Sequence, residues 1–350
     1  MGKIDHDISQ PKIYFSPPKF KKNVSTTDLY ESSIRELFII EYPEYKGTIN
    51  FSERDFYEYK KNKKFKKIWI FFPDIQHLII TVSEENYFLI RTARNRNIIT
   101  HEEQKKYRAC TVGIIGLSIG SIILSSLVAT GGPKRIKIAD DDVIDISNLN
   151  RMWASLVDVG RAKIDIAAKN TWRLDPFAEI SKYRVKISEA TIKEFLCENP
   201  PIDVFIDAMD SLPLKIYART ICREKGIPVI MATSNGDGVI LDVERFDLDK
   251  GAPIFHGRLG KVKSEDFAYF TYNEWVEKAI AIVDPNLLTK RVSESILELN
   301  KSISGIPQLS TTVQIGAAAT SFVVRKIAND QNLPSGRYIF GLESLNEHIT

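Results

Sequence analysis

Residues 109–133 read ACTVGIIGLSIGSIILSSLVATGGP, and residues 134–151 continue KRIKIADDDVIDISNLNR. The first stretch runs twenty-five residues without a charge, and the second delivers Asp140, Asp141 and Asp142 in succession. Length alone would suit a membrane span, with Gly116-x-x-x-Gly120 as a helix-packing motif. The punctuation inside the stretch favours another reading. Thr111–Ile115 is an apolar run of strand length, 116–121 is a turn of small residues, and 121–130 is an apolar run of helix length. Gly131-Gly132-Pro133 ends that helix, and Arg135–Ala139 forms a second strand that ends in carboxylates. The result is a β-α-β unit whose helix starts where anions bind and whose second strand ends where a ribose would sit. No other part of the chain is apolar enough to support the membrane alternative.

The bounds agree with a large α/β protein. The chain has 350 residues, 43% hydrophobic and 27% charged, enough to bury one large domain and a smaller one. The N-terminal MGKIDHDISQPK is polar and lacks the apolar core of a signal peptide. Cys110, Cys197 and Cys222 form no C-x-x-C pair and have no histidine at metal spacing, which argues against zinc and against a disulfide framework. A cytoplasmic protein is expected. The histidines (His6, His77, His101, His256 and His348) are scattered and receive no role.

Charge is uneven along the chain. Residues 1–110 hold 20 Lys+Arg against 15 Asp+Glu, an excess of +5, and the remainder holds 28 against 30. The excess comes largely from KKNKKFKK, with Lys60, Lys61, Lys63, Lys64, Lys66 and Lys67. Two readings stand: a solvated loop before a strand, which the lack of an aromatic ladder or nucleic-acid motif favours, and a patch for an acidic peptide. Nucleic acid and membrane are not expected as partners.

Residues 1–105 read as a small α/β module with no catalytic constellation, and therefore as a recognition or peptide-binding element. Ser25 and Thr26 are placed to cap a helix through Leu29, Ile34, Leu37 and Phe38 that stops near Pro43. Lys67–Phe72 and 78–82 are strand-like, and Ser83 is placed to cap a helix through Tyr87, Phe88 and Ile90. From residue 106 to 350, strands and helices alternate as a doubly wound, mostly parallel sheet requires. Helices are expected around 164–172 and 214–225, and strands at 204–206 and 228–232.

A plain dinucleotide site would carry G-x-G-x-x-G after the first strand. Here Gly116-Leu117-Ser118-Ile119-Gly120-Ser121 puts serines at the second and third glycine positions. The carboxylates also open a longer pattern, with Arg151 eleven residues past Asp140. Hydride transfer does not call for that arginine, whereas nucleotide phosphates do.

Four motifs in order then resemble the ThiF/MoeB/HesA superfamily, the bacterial relatives of ubiquitin-activating enzymes. They are the turn with Asp140-Asp141-Asp142, then Ser147-Asn148-Leu149-Asn150-Arg151, Val159-Gly160-Arg161-Ala162-Lys163, and Asp207-Ala208-Met209-Asp210. Upstream, Arg94-Asn95-Arg96-Asn97-Ile98 echoes the family's arginine-rich entry. The similarity covers about residues 91–240 well and 300–330 loosely. It implies a Rossmann-like, ThiF-type fold and an ATP-dependent, Mg²⁺-assisted adenylyltransferase acting on a carboxylate.

The roles that the resemblance implies are as follows. Backbone N–H groups from Gly116 through Ser118 and Gly120 to Ser121 suit phosphates, and Asp140 suits the ribose hydroxyls. Asp142 and Asn148 join the nucleotide site. Arg151 and Lys163 supply positive charge at the reacting phosphorus, and Asp210 holds the Mg²⁺. Asp207 is the weaker candidate, bonding backbone or Lys163. Arg96, with Arg94 as competitor, would reach the partner subunit's ATP in a homodimer.

The departures are informative too. The paired C-x-x-C zinc motifs of many relatives are absent, and no cysteine lies between Asn235 and Pro307, so a thioester on that loop is excluded. Interception of the acyl-adenylate by a substrate nucleophile is therefore expected. This resembles enzymes of microcin C and pantocin A biosynthesis, which modify ribosomal peptides, or tRNA threonylcarbamoyladenosine dehydratases. Sulfur-carrier activation is a further alternative. An NAD-dependent oxidoreductase or a catalytically silent scaffold is the alternative of another class.

Overall fold

The computed structural model describes residues 9–20, 23–47, 51–198 and 200–342. His6, His348 and the last part of the 335–350 tail lie outside these residues. Two compact units appear: one contains the chain up to Gln104 together with Thr171–Phe177, and the other Lys105–Asn170 and Ala178 onward.

In the N-terminal unit, β1 (Lys12–Tyr14), β2 (Ser25–Asp28), β3 (Lys67–Phe72) and β4 (His77–Val82) form a sheet of order β1-β3-β4-β2. Beside it lie α1 (Tyr30–Glu41), α2 (Glu53–Lys63) and α3 (Glu84–Arg91). The core is aromatic: Phe38 is buried among Tyr45, Phe56 and Tyr59, ring centroids 5.0–5.7 Å away.

Three local expectations need correction. Ser25 and Thr26 sit in β2, paired parallel to β4, and the α1 start is instead marked by Asp28, whose carboxylate accepts from Tyr30 N at 2.9 Å. Ser83 does stand before α3, but its hydroxyl makes no cap bond. Only residues 64–66 of the lysine run form a loop before β3. Ser52 caps α2 by accepting from Asp55 N, Phe56 and Tyr59 bury one face, and the helix carries Lys60, Lys61 and Lys63. Lys60 pairs with Glu31 and Lys63 with Glu41, so much of the run's charge is already matched.

α4 (His101–Ala109) leads into the larger unit. There β5 (Thr111–Ile115), α5 (Gly120–Ala129), β6 (Arg135–Ala139), α6 (Lys163–Leu174), β7 (Glu179–Tyr183), α7 (Glu189–Cys197), β8 (Val204–Asp207) and α8 (Leu212–Lys225) alternate as expected. Then come β9 (Val229–Asn235), β10 (Gly238–Glu244), α9 (Tyr272–Val283), α10 (Lys290–Leu297), α11 (Ser310–Ala328) and β11 (Gly336–Gly341). The sheet order is β11-β10-β9-β8-β5-β6-β7, with β5 to β9 parallel and the β10 and β11 pairings antiparallel. Every residue of β5 and β8 is buried, as central parallel strands covered on both faces require. The fold is a mixed α/β, Rossmann-like one. Among the described residues no helix is long and apolar enough to cross a membrane.

One buried charge cluster ties this unit together. Arg219 on α8 is 0% exposed; it donates to Glu244 at the end of β10 (2.6 Å) and to Asp207 at the end of β8, and it stacks on the Phe255 ring at 3.8 Å. Glu244 in turn accepts from Phe255 N at 2.6 Å, fixing a turn in which Phe255 and His256 have φ of 49° and 54°. Burial pushes the Asp207 carboxyl up, but Lys215 and Arg219 outweigh it and hold it below its usual range. Replacing Arg219 by Met leaves the buried Glu244 without its cation and Asp207 with Lys215 alone. Urea unfolding should show a loss of about 3–5 kcal/mol; a loss below about 1 kcal/mol would mean that the cluster is not a keystone.

Candidate active site

From β5 the chain moves outward through β6 to β7, then returns across β5 to form β8 and β9. The crevice between the carboxyl ends of β5 and β8 is therefore the topological switch point, where open α/β sheets bind ligands. Gly116 closes β5 there with φ +91°, and a Cβ at that position would stand 2.1 Å from the Ala208 carbonyl oxygen. Only glycine permits this approach of the first turn to the end of β8.

Asp140 clamps the same turn from the end of β6. Its Oδ2 accepts from Leu117 N (2.7 Å) and its Oδ1 from Asp142 N (2.9 Å). Burial pushes its carboxyl above the ordinary range, against the pull of those two amides and of Lys163.

A cavity of about 280 Å³ opens over this point, and it gathers Gly116, Ser118, Asp140, Asp142, Arg151, Lys163 and Asp210. Lys163 begins α6 with its Nζ 2.7 Å from Asp142 Oδ2 and is 9% exposed at the side chain. Arg151 is oriented by donating through Nε to Ser118 Oγ (3.2 Å) and through Nη1 to Ser147 O and Asn150 Oδ1. These bonds leave its charge without a carboxylate partner among the described residues. Asp210 is exposed at the rim.

Gly120, Ser121 and Asn148 do not line the cavity. Gly120 lies against β5, where a Cβ would meet Ile114 Cγ2 at 2.9 Å. The Ser121 hydroxyl donates to Ser118 O and accepts from Trp153 N, bracing the turn. Asn148 is buried, its Oδ1 accepting from Asp145 N. Asp207 bonds Met209 N, Lys215 and Arg219 rather than Lys163. Arg96 belongs to the N-terminal unit and donates to Ile40 O at 3.0 Å.

The cavity also includes residues that the sequence reading passed over. Lys186 and Ile187 come from the loop after β7, Leu214 from α8 and Gln308 from the segment before α11. For that last segment the only signal in the sequence was the loose resemblance over residues 300–330. Among the described residues no cluster of three or more His, Cys, Asp or Glu forms a ready metal site. A Mg²⁺ that keeps its waters and takes phosphate oxygens needs only one or two carboxylates, which Asp210 fits.

A family model for ThiF matches residues 92–268, just over half of the sequence. The chain belongs to the ThiF family. Members of this family are ATP-dependent adenylyltransferases. Over 271 residues it is 35% identical to an uncharacterized protein of Mycobacterium tuberculosis, covering 77% of this chain and 37% of that one. Over 158 residues it is 30% identical to the tRNA threonylcarbamoyladenosine dehydratase of Bacillus subtilis, covering 45% of this chain and 60% of that enzyme. The chain thus spans less than two thirds of the length of either relative. In fold it is similar to the crystal structure of E. coli MccB with ATP, with a TM-score of 0.51 and 17% identity over 89% of this chain and 84% of that one.

Two outcomes follow for this ThiF-family site. Gly116→Ala should cost at least about 2 kcal/mol in thermal or urea unfolding, because positive φ and overpacking against Ala208 combine. A wild-type midpoint would contradict the close approach. Burial pushes all three thiols up, but Cys110 and Cys222 are buried and Cys197 only half-buried, so iodoacetamide on the native protein should label Cys197 first by mass spectrometry. Preferential labelling of Cys222 would contradict the packing around α8.

Proposed function

We propose that this protein adenylates a carboxylate on a peptide or small protein with ATP and Mg²⁺, and that a nucleophile of the substrate itself intercepts the acyl-adenylate. The observation that carries this reading is the convergence of Asp140, Arg151, Lys163 and Asp210 on one cavity at the switch point. A carboxylate oxygen attacks the α-phosphorus, and the bond to pyrophosphate breaks as the new acyl–phosphate bond forms. The protein's task is to position anions and neutralise charge. Asp140 receives the ribose hydroxyls while its other lone pairs hold the turn. Arg151 and Lys163 face the phosphorus, the first as a planar fork and the second as a point charge. Mg²⁺ beside Asp210 would neutralise the phosphate oxygens.

Peptide or small protein is favoured as substrate because a separate N-terminal unit with its own core accompanies the adenylation unit. With Lys60, Lys63 and Lys67 matched to acidic neighbours, Lys61, Lys64 and Lys66 are the lysines left for an acidic ligand. The 30% identity to the dehydratase favours a second reading, activation of a carboxylate carried on tRNA. In the homodimer that we also propose, Arg96 of one subunit completes the site of the other.

Lys163→Ala and Asp210→Asn should each lower ATP–pyrophosphate exchange by about 100-fold or more, as loss of one preorganised charge does. Asp210 is exposed, so its substitution should leave stability within about 0.5 kcal/mol of wild type. Near-normal exchange in either variant would overturn that residue's assignment. Mixing inactive Arg96→Ala with inactive Asp210→Asn subunits should restore activity, because one site of each mixed dimer is then wild type. No recovery despite demonstrated subunit exchange would refute the trans role.

A further inference from the structure

A second cavity of about 220 Å³ adjoins the first, and the two share Ile119, Ala208, Met209, Asp210 and Gln308 in their walls. One wall is β9, with Met231, Ala232, Thr233 and Ser234. The facing wall is α9, where Trp275, Ala279, Ile282 and Val283 recur at i, i+4, i+7 and i+8 and so share one helix face. The space has room for one apolar side chain and its walls are mostly apolar. Its one cation, Lys215, is already spent: its Nζ lies 3.0 Å from the buried Asp207 carboxylate and 3.5 Å from Met231 Sδ. The remaining carboxylate at the edge, Asp210, is exposed where the two cavities meet.

Gln308 stands at the junction of the cavities. Its backbone carbonyl accepts from Asn150 Nδ2 at 2.9 Å, which fixes the segment, while its side-chain Oε1 is buried and has no hydrogen-bond partner. A buried acceptor left unmatched costs about 1–3 kcal/mol, so a donor supplied by a ligand is strongly favoured there.

Resting on the adenylation reading, we infer that the carboxylate activated here belongs to a residue with a compact apolar side chain, leucine or methionine in size. That side chain lodges between β9 and α9, and the same residue's amide N–H donates to Gln308 Oε1. The carboxylate is thereby delivered to the shared wall, beside the nucleotide. Trp275 lines the same cavity and is 37% exposed, so a bound side chain would share its cover from water with this ring.

The test is ATP–pyrophosphate exchange by the full chain with N-acetylated dipeptides that end in leucine, methionine, glycine, aspartate or lysine, beside calorimetric titration with ATP. The leucine and methionine peptides should exceed the others at least about tenfold in kcat/KM, the discrimination that one filled or empty apolar pocket supplies. Ala279→Phe, which fills the cavity, should abolish that preference, and Gln308→Leu should raise the KM of the leucine peptide by a similar factor. If Ala279→Phe no longer binds ATP, the wild-type ranking decides. A ranking led by glycine, aspartate or lysine, or no exchange with any peptide from a chain that binds ATP, would overturn the inference and leave nucleotide binding standing. A wild-type chain that binds no ATP would overturn the adenylation reading itself.

Discussion

The contact between Gly116 and the Ala208 carbonyl sets the geometry of everything around it. It brings the first turn after β5 against the end of β8, and these are the two strands on either side of the switch point. Asp140 then locks the turn from β6 through Leu117 N, and Ser121 braces it from α5. With the turn held, Ser118 can orient Arg151, and the loop from Asp142 can present Lys163. A side chain at residue 116 would push β5 and β8 apart and enlarge the cavity that these groups share.

A second constraint acts from below. Asp207, one residue before Ala208, is wholly buried and would be costly as a lone charge. Arg219 and Lys215 satisfy it, and Arg219 extends the network to Glu244 and the 254–257 turn. The same cluster therefore supplies part of the wall of the second cavity, through Asp207 and Lys215, and fixes the 254–257 turn. It also removes Lys215 from service as a free cation, which leaves the cavity beside it apolar in character.

Much of the nucleotide-binding half was legible in the sequence, because there local pattern and tertiary role coincide. An all-buried strand must be apolar, a turn pressed on a neighbouring backbone must be glycine, and a strand end facing anions or ribose must be polar. The residues gathered in the first cavity come mainly from these positions. Legibility failed where one residue type serves two ends. At Ser121 and Asn148, positions read from the binding motif, the side chains brace turns. Ser25 and Thr26 have good capping chemistry but pair with β4, since His77 bonds both Ser25 Oγ and Thr27 Oγ1. The lysine run is solvated as read, but charge hides the Phe56 and Tyr59 spacing that makes its first part helical. Lys186 and Gln308 reach the cavity from segments distant in sequence, so no local motif could have named them.

Activity at this site depends on where a nucleotide binds and how it is oriented. A crystal structure of the full chain with Mg²⁺ and an ATP analogue whose α,β-bridging oxygen is replaced by carbon tests this most directly. The ribose hydroxyls should lie on Asp140, the metal beside Asp210, and the α-phosphate between Arg151 and Lys163, with its open face toward Gln308. A nucleotide bound elsewhere, or one lying here with its phosphates turned away from Arg151 and Lys163, would contradict this placement.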